Sequence, residues 1–353
     1  MARGRTTPQA RVNVSDLHEE HVSRDSFFGV AAMMYHGRAT GNPSRVEGDM
    51  AVAITSVDPM QPDDGQVADG MPLSLLYSDE IEILISRRSE AMPFLFRHMD
   101  ADTLYFIHKG EGVIATEFGD VPYEPGDFVL IPKAISYRVM PSSPMLAMIV
   151  ESTDPIGFTE HRQVGRHAPF DPTVVFAPEL TQYDWPHQKE WEVRMKHEGG
   201  FSSAFYDHLP FDLVGWKGDL FPIKINVRDI RPITSERLHL APSSWSVFEA
   251  RTFLCVTFLP MQVVSDPEAE ELPTRHRNVD TDEAIFFRNN MGEPGEIFMH
   301  LPQGLTHGLD GEFRERYAHL REPGRMRVTN GVSIDTFKRL KRTPAFEALF
   351  KRR

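Results

Sequence analysis

The chain has 353 residues, enough for two ordinary domains and a sizeable core. Its composition, 41% hydrophobic and 25% charged, is that of a soluble globular protein, and no apolar run approaches the ~20 residues of a membrane span. With 38 basic against 51 acidic residues the formal net charge is −13, and an acidic surface that repels phosphate backbones excludes nucleic acid as an expected partner.

Taken in chain order, Met1 to Arg11 carries three arginines without an apolar core, which reads as a tail and not as a secretory signal. Residues 15–23 are expected to form a turn or two of helix. Proline and glycine then punctuate short apolar runs, the pattern of strands between tight turns. Leu104 to Ile107, Val113 to Phe118, Phe128 to Pro132 and Met145 to Val150 are expected strands, with turns at Lys109-Gly-Glu-Gly112 and Glu124-Pro-Gly-Asp127. Such spacing predicts a small antiparallel sandwich or barrel. A segment rich in Pro, His and charge, from about His161 to Trp216, reads as connecting structure packed over both halves. A second strand set follows: Trp245 to Phe248, Thr252 to Leu259, Glu283 to Phe287 and Gly295 to Met299. The single cysteine, Cys255, sits inside it as a small apolar filler, excludes an internal disulfide framework and fits a reducing cytoplasm. Thr336 to Leu349, interrupted by Pro344, is the other expected helix, and the basic run Lys338 to Arg342 reads as solvated surface. The expected organisation is a first barrel over 1–160, a connection over 161–223, a second barrel over 224–335 and a basic tail over 336–353.

Two stretches of the second set carry chemistry. His276-Arg-Asn-Val-Asp-Thr-Asp-Glu283 and Pro302-Gln-Gly304-Leu-Thr-His307 offer two imidazoles and a carboxylate, separated by a hairpin's length of chain. This is the ligand set of a facial triad, which leaves half of an octahedral Fe(II) open for substrate and dioxygen. Strand alternation in a barrel turns the three side chains to one side. Asp282 competes with Glu283 for the carboxylate role, because a turn intervenes between it and His276.

Both halves carry turns that resemble those of cupin barrels. Pro125-Gly-Asp127 precedes a strand and then Pro132-Lys-Ala134-Ile-Ser-Tyr137, where Ala134 stands for the motif's Gly and Tyr137 for its His. In His98-Met-Asp-Ala-Asp-Thr103 the carboxylate position holds Thr103. The first barrel is therefore expected to be structural and free of metal, with His98 a hydrogen-bonded histidine. In the second half the cupin pattern His-x-His-x4-Glu reaches Glu283, with Asn278 at the second His, and so favours Glu283 over Asp282. The fold class expected is all-β: tandem double-stranded β-helix barrels, a bicupin, with few short helices.

The chain also resembles homogentisate 1,2-dioxygenases from about residue 80 to 335. His276-Arg-Asn is similar to that family's ligand signature, and His300 and His307-Gly resemble its later histidines. Pro210-Phe-Asp-Leu-Val-Gly-Trp216-Lys-Gly, Thr116-Glu-Phe-Gly119 and Asp154-Pro-Ile-Gly157 match further family segments. The resemblance implies Fe(II) held by His276, Glu283 and His307. It implies catalytic roles for His239, as general acid/base or substrate hydrogen-bond partner, and for His300. It also implies a small aromatic substrate with O2, a homo-oligomer and a cytoplasmic location. The chain departs from the family in spacing His276 and Glu283 one residue further apart. It also has Phe286, Phe287, Arg288 and Asn289 where the family holds substrate with a Tyr. Phe286 and Arg288 are the expected substrate contacts, Arg288 pairing a substrate carboxylate. The expected reaction is extradiol-type opening of homogentisate or a similar para-hydroquinone. The rivals are a related enzyme acting on another substituted hydroquinone or catechol, and a non-catalytic bicupin that binds no iron.

Overall fold

The computed structural model describes residues 17–26, 28–38, 43–48, 50–160, 165–232, 246–258, 261–262, 275–287, 296–308, 321–322, 325–326 and 331–350. Three large sheets dominate. The middle sheet orders Ile223–Asn226, Asp127–Ile131, Asp102–Lys109, Leu146–Ser152, Ile81–Ser86, Leu73–Tyr77 and Lys341–Arg342. An outer sheet orders Gly200–Tyr206, Trp191–His197, Leu95–His98, Ser136–Pro141, Gly112–Thr116 and Gly119–Tyr123. The third sheet orders Gly157–Phe158, Ser246–Ala250, Phe253–Phe258, Gly331–Thr336, Asp282–Phe287, Ile297–Leu301 and Ala53–Ser56.

The middle sheet is apolar on both faces, which is why its strands read as unbroken apolar runs. Tyr105, Ile107, Val129, Ile131, Ala147 and Ile149 join Phe96, Ile114, Val121, Tyr137 and Val139 of the outer sheet in one core. The alternate residues Leu104, Phe106, Phe128, Leu130, Met148 and Val150 join Phe248, Cys255, Ala284, Phe286, Phe298 and Ile334 of the third sheet in another. Period-two alternation thus feeds two cores from one set of strands.

Strands cross between the halves. Ala53–Ser56 pairs with Ile297–Leu301, and Lys341–Arg342 pairs with Leu73–Tyr77. The expected boundary at residue 160 therefore does not separate the sheets cleanly. Within the expected connecting segment, Trp191–His197 and Gly200–Tyr206 form a hairpin that extends the outer sheet, Val193 pairing parallel with Leu95.

One expected helix is corrected. Residues 18–25 form a strand, His18–Asp25, in a small sheet with Phe28–His36 and Arg275–Asn278. Glu, His and Arg permit a helix locally, but pairing with a strand some 250 positions away decides the outcome, tertiary contact overriding propensity. The C-terminal helix is Pro344–Phe350. Pro344 opens it instead of interrupting it, since a first-turn proline costs no hydrogen bond, and the Thr343 hydroxyl accepts from the Phe346 N–H at 3.2 Å.

Candidate metal centre

His276 lies on Arg275–Asn278, Glu283 near the start of Asp282–Phe287, and His307 beyond Ile297–Leu301. His276 and His307 exchange both backbone N–H···O bonds at 2.9 Å. Directly opposed antiparallel residues point the same way, so this bridge puts both imidazoles on one side. The turn before His307 needs Gly304, whose φ of 81° is left-handed, and its N–H donates to the Asn278 carbonyl at 2.7 Å.

All three side chains are buried, at 7%, 3% and 7% exposure for His276, Glu283 and His307. One ligand atom from each lies within 4.8 Å of the others. Glu283 Oε2 is 2.8 Å from His307 Nε2, and Glu283 Oε1 is 3.5 Å from His276 Nε2. The imidazole centroids are 4.2 Å apart at 70°. Cis ligands each ~2.1 Å from a cation stand about 3 Å apart, so these separations suit one shared ion.

Hydrogen bonding defines the donor set. His307 Nδ1–H donates to the Leu305 carbonyl at 2.9 Å, which turns the Nε2 lone pair toward the carboxylate. Glu283 Oε2 and His307 Nε2, both buried, face each other at 2.8 Å and have no other hydrogen-bond partner. Two acceptors so near each other require a proton or a cation between them. Burial opposes the ionisation of Glu283, but the charge of His307 and hydrogen bonds from both histidines outweigh it and hold the carboxyl below its usual range. Burial likewise opposes a charged His307, and Glu283 overcomes it, raising the imidazole above its ordinary value. Two neutral imidazoles and one carboxylate are the donor set that a divalent transition metal takes.

Asn278 Nδ2 donates to Glu283 Oε1 at 2.6 Å and fixes the carboxylate's orientation. Asp335 stands across the strand pair from Glu283, accepting from the hydroxyls of Ser26 and Ser333. Burial and the neighbouring Glu283 raise its carboxyl well above the ordinary range. His21 pairs with His276 in the parallel register and is depressed by burial and by that neighbour. Sequence reasoning missed Asp335 and His21. The alternation Val332-Ser-Ile-Asp335 in an apolar strand was the available signal for the first. Nothing local marked the second, whose place depends on long-range pairing.

The structure separates the two candidate carboxylates. Asp282 lies on the face opposite Glu283, where it accepts from the backbone N–H groups of Gln303 at 2.9 Å and Leu340 at 2.8 Å. His300 and Phe286 are not brought to the cluster either. Both sit at positions that alternate away from Glu283, with His300 paired to Ala284. His300 Nδ1 accepts from Arg342 Nε at 3.0 Å, and its Nε2 lies 3.6 Å from Asp282. Burial, then the nearby Arg342, outweigh Asp282 and lower its basicity. Phe286 is fully buried between the middle and third sheets, stacked on His108 at 4.0 Å and 19°. Expected site residues His239 and Arg288 lie outside the described residues.

Among the described residues, His276, Glu283 and His307 are the one such group placed to hold a metal. In the first barrel Tyr137 bonds the Tyr105 hydroxyl at 2.9 Å. His98 accepts from the Asp100 and Ala101 N–H groups at 3.2 and 3.1 Å, and faces Glu151 at 3.3 Å.

Residues 78–227 match the family described as the N-terminal part of homogentisate 1,2-dioxygenase. A Saccharolobus solfataricus protein provisionally named a dioxygenase is 29% identical over 280 residues, 76% of this chain and 71% of that protein. The homogentisate 1,2-dioxygenase of Nitrobacter hamburgensis is 27% identical over 240 residues, 64% of this chain and 52% of that enzyme. That of Caenorhabditis elegans is 28% identical over 222 residues, 61% of this chain and 47% of that enzyme. The chain thus spans about half the length of these two homogentisate dioxygenases. Among solved structures, a cupin-2 domain protein from Shewanella frigidimarina aligns with 23% of this chain and 79% of that chain, at 18% identity and a TM-score of 0.22. Sheet topology, family match and relatives agree on an all-β chain that is similar to dioxygenases and whose residues 78–227 match the homogentisate 1,2-dioxygenase N-terminal family.

Proposed function

We propose that this protein is an Fe(II)-dependent extradiol-type dioxygenase that opens the ring of homogentisate or a similar para-hydroquinone. One observation carries the reading: two buried imidazoles and a buried carboxylate converge within 4.8 Å, and Glu283 Oε2 and His307 Nε2 have no partner there besides each other. When bound there, iron would supply Lewis acidity and open positions for a substrate oxygen and for dioxygen.

The chain's own residues supply the rest. Glu283 contributes one negative charge and the two imidazoles none, which leaves the site net positive toward an anionic phenolate. Asn278 keeps the carboxylate oriented, and the Leu305 carbonyl holds the His307 tautomer. Burial keeps bulk water from the donor atoms. His239 is proposed to accept the phenol proton, and Arg288 to pair the substrate's carboxylate. The acidic, single-cysteine composition supports a cytoplasmic enzyme. The exposed edge strand Gly200–Tyr206 supports a homo-oligomer.

A second reading, ring cleavage of a different substituted hydroquinone or catechol, is favoured by the lack of a Tyr among residues 283–289. The test is anaerobic reconstitution with Fe(II), followed by oxygen uptake with homogentisate and with gentisate. Uptake with either supports the proposal. Bound iron with no uptake removes both substrates in favour of the second reading. Failure to bind iron removes the enzymatic reading itself.

A further inference from the structure

The ligands His276 and His307 sit on separate segments, and one carboxylate from the start of the chain grips both. Glu20, on the strand His18–Asp25, is fully buried. Its Oε1 accepts from Thr306 Oγ1 at 2.6 Å, and its two oxygens accept from Arg277 Nη2 at 2.9 and 3.2 Å. Thr306 precedes one ligand and Arg277 follows the other. Arg277 Nε also donates to Thr306 Oγ1 at 3.3 Å, which closes the triangle. His36 Nε2 meets the second oxygen at 3.0 Å. Strand alternation puts Arg277 on the face opposite His276 and Asn278, so this clamp lies behind the ligands and not among them.

We propose that Glu20 is a positioning residue for the metal centre, setting the separation of the His276 and His307 imidazoles through Arg277 and Thr306. This rests on the reading of His276, Glu283 and His307 as ligands of one cation. The physical ground is direct. The two ligand segments meet through the paired backbone bonds of His276 and His307, the Gly304 N–H to the Asn278 carbonyl and Arg275 Nη1 to the Gly308 carbonyl. On the face behind the ligands, a charge-assisted bond from Glu20 to each flanking residue adds a further tie between the same two segments. Burial opposes the ionised form of Glu20, but Thr306, Arg277 and His36 outweigh it, so the carboxylate is held charged and grips both neighbours. The clamp also makes the N-terminal strand part of the site, although the sequence puts Glu20 some 257 positions from Arg277.

Co(II) serves as the probe, because its visible bands report coordination geometry. The purified full chain is titrated with Co(II) as wild type, Glu20→Ala, Glu20→Gln and Thr306→Val, and the metal-free forms are compared by circular dichroism and melting. The expected result is a dissociation constant raised about ten-fold or more in Glu20→Ala, the magnitude usual for groups that orient ligands. Its Co(II) bands change as well, and Glu20→Gln, which keeps an acceptor for both donors, falls between it and wild type. Thr306→Val shifts in the same direction with an unchanged fold, and it decides the question if Glu20→Ala does not fold. Wild-type affinity and wild-type bands in the variants overturn the positioning role alone. A wild type that binds no Co(II) overturns the three-ligand reading, and the positioning role with it.

Discussion

Glu283 and His307 face each other at 2.8 Å, and that pairing makes the site's chemistry testable one residue at a time. Replacing Glu283 with Gln, or His307 with Ala, removes a donor, and each is expected to weaken Fe(II) binding by about 100-fold or more, checked by metal analysis after dialysis. Glu283→Gln keeps nearly the same volume, so a loss there reports charge and not packing. Ala134 gives a second residue-level prediction. Its φ of 67° is left-handed, the conformation that Gly304 takes at the matching turn of the other half. Left-handed backbone costs a residue with a Cβ roughly 1–2 kcal/mol, partly offset by the greater entropy glycine loses on folding. Ala134→Gly is therefore expected to stabilise by about 1 kcal/mol in urea unfolding. At this scale the sequence was informative where a motif fixed the spacing: His276, Glu283 and His307 were all legible. Deciding Asp282 against Glu283 needed the pairing of Glu283 with Leu301 and Asp335, because a turn hid the phase of the strand.

At the scale of elements, neighbouring strand positions have different fates. Phe286 and His300 were expected at the site from the family resemblance, yet Phe286 packs in the core shared by two sheets and His300 lies between Arg342 and Asp282. Phe286→Leu is accordingly expected to lower stability by about 1–3 kcal/mol while leaving the KM for the aromatic substrate unchanged, measured by thermal unfolding and oxygen uptake. A raised KM with unchanged stability would restore the substrate-contact role. The strand Trp191–His197 shows the same dependence on context. Its Lys196 Nζ reaches Glu151 at 2.5 Å and Glu82 at 2.8 Å, beside His98. Burial opposes the ionised Glu151, and His98 and Lys196 together reverse that, holding the carboxyl below its ordinary value of 4.5. Lys196→Met strands a buried carboxylate and is expected to cost about 3–5 kcal/mol near pH 7. The sign follows from Glu151. A depressed carboxyl stabilises the fold above its unfolded pKa, and the benefit is lost as pH falls through the folded value. The gap between wild type and variant therefore narrows as pH drops below 4.5, read from urea unfolding at several pH values. The main strands were legible from turns and apolar runs, as in Asp102–Lys109 and Phe253–Phe258. His18–Asp25 was not, since only its partner strand makes it extended.

Over the whole molecule, the two halves meet through the middle sheet, whose alternate residues fill both cores. In the first half the buried Glu151 receives the chain's own cation, the ammonium of Lys196. In the second, the buried Glu283 has two imidazoles and an amide for neighbours, a set with the donor types of a divalent-metal site. Strand exchange, with Ala53–Ser56 and His18–Asp25 completing sheets of the second half, was invisible in the sequence because pairing partners leave no local mark. Anaerobic titration of the metal-free chain with Fe(II), followed by X-ray absorption at the iron edge, tests the central claim most directly. The account predicts one iron per chain, bound to two imidazole nitrogens and a carboxylate oxygen, and lost from the triple variant His276→Ala, Glu283→Ala, His307→Ala. Iron retained unchanged by that variant, or none bound by the wild type, would contradict it.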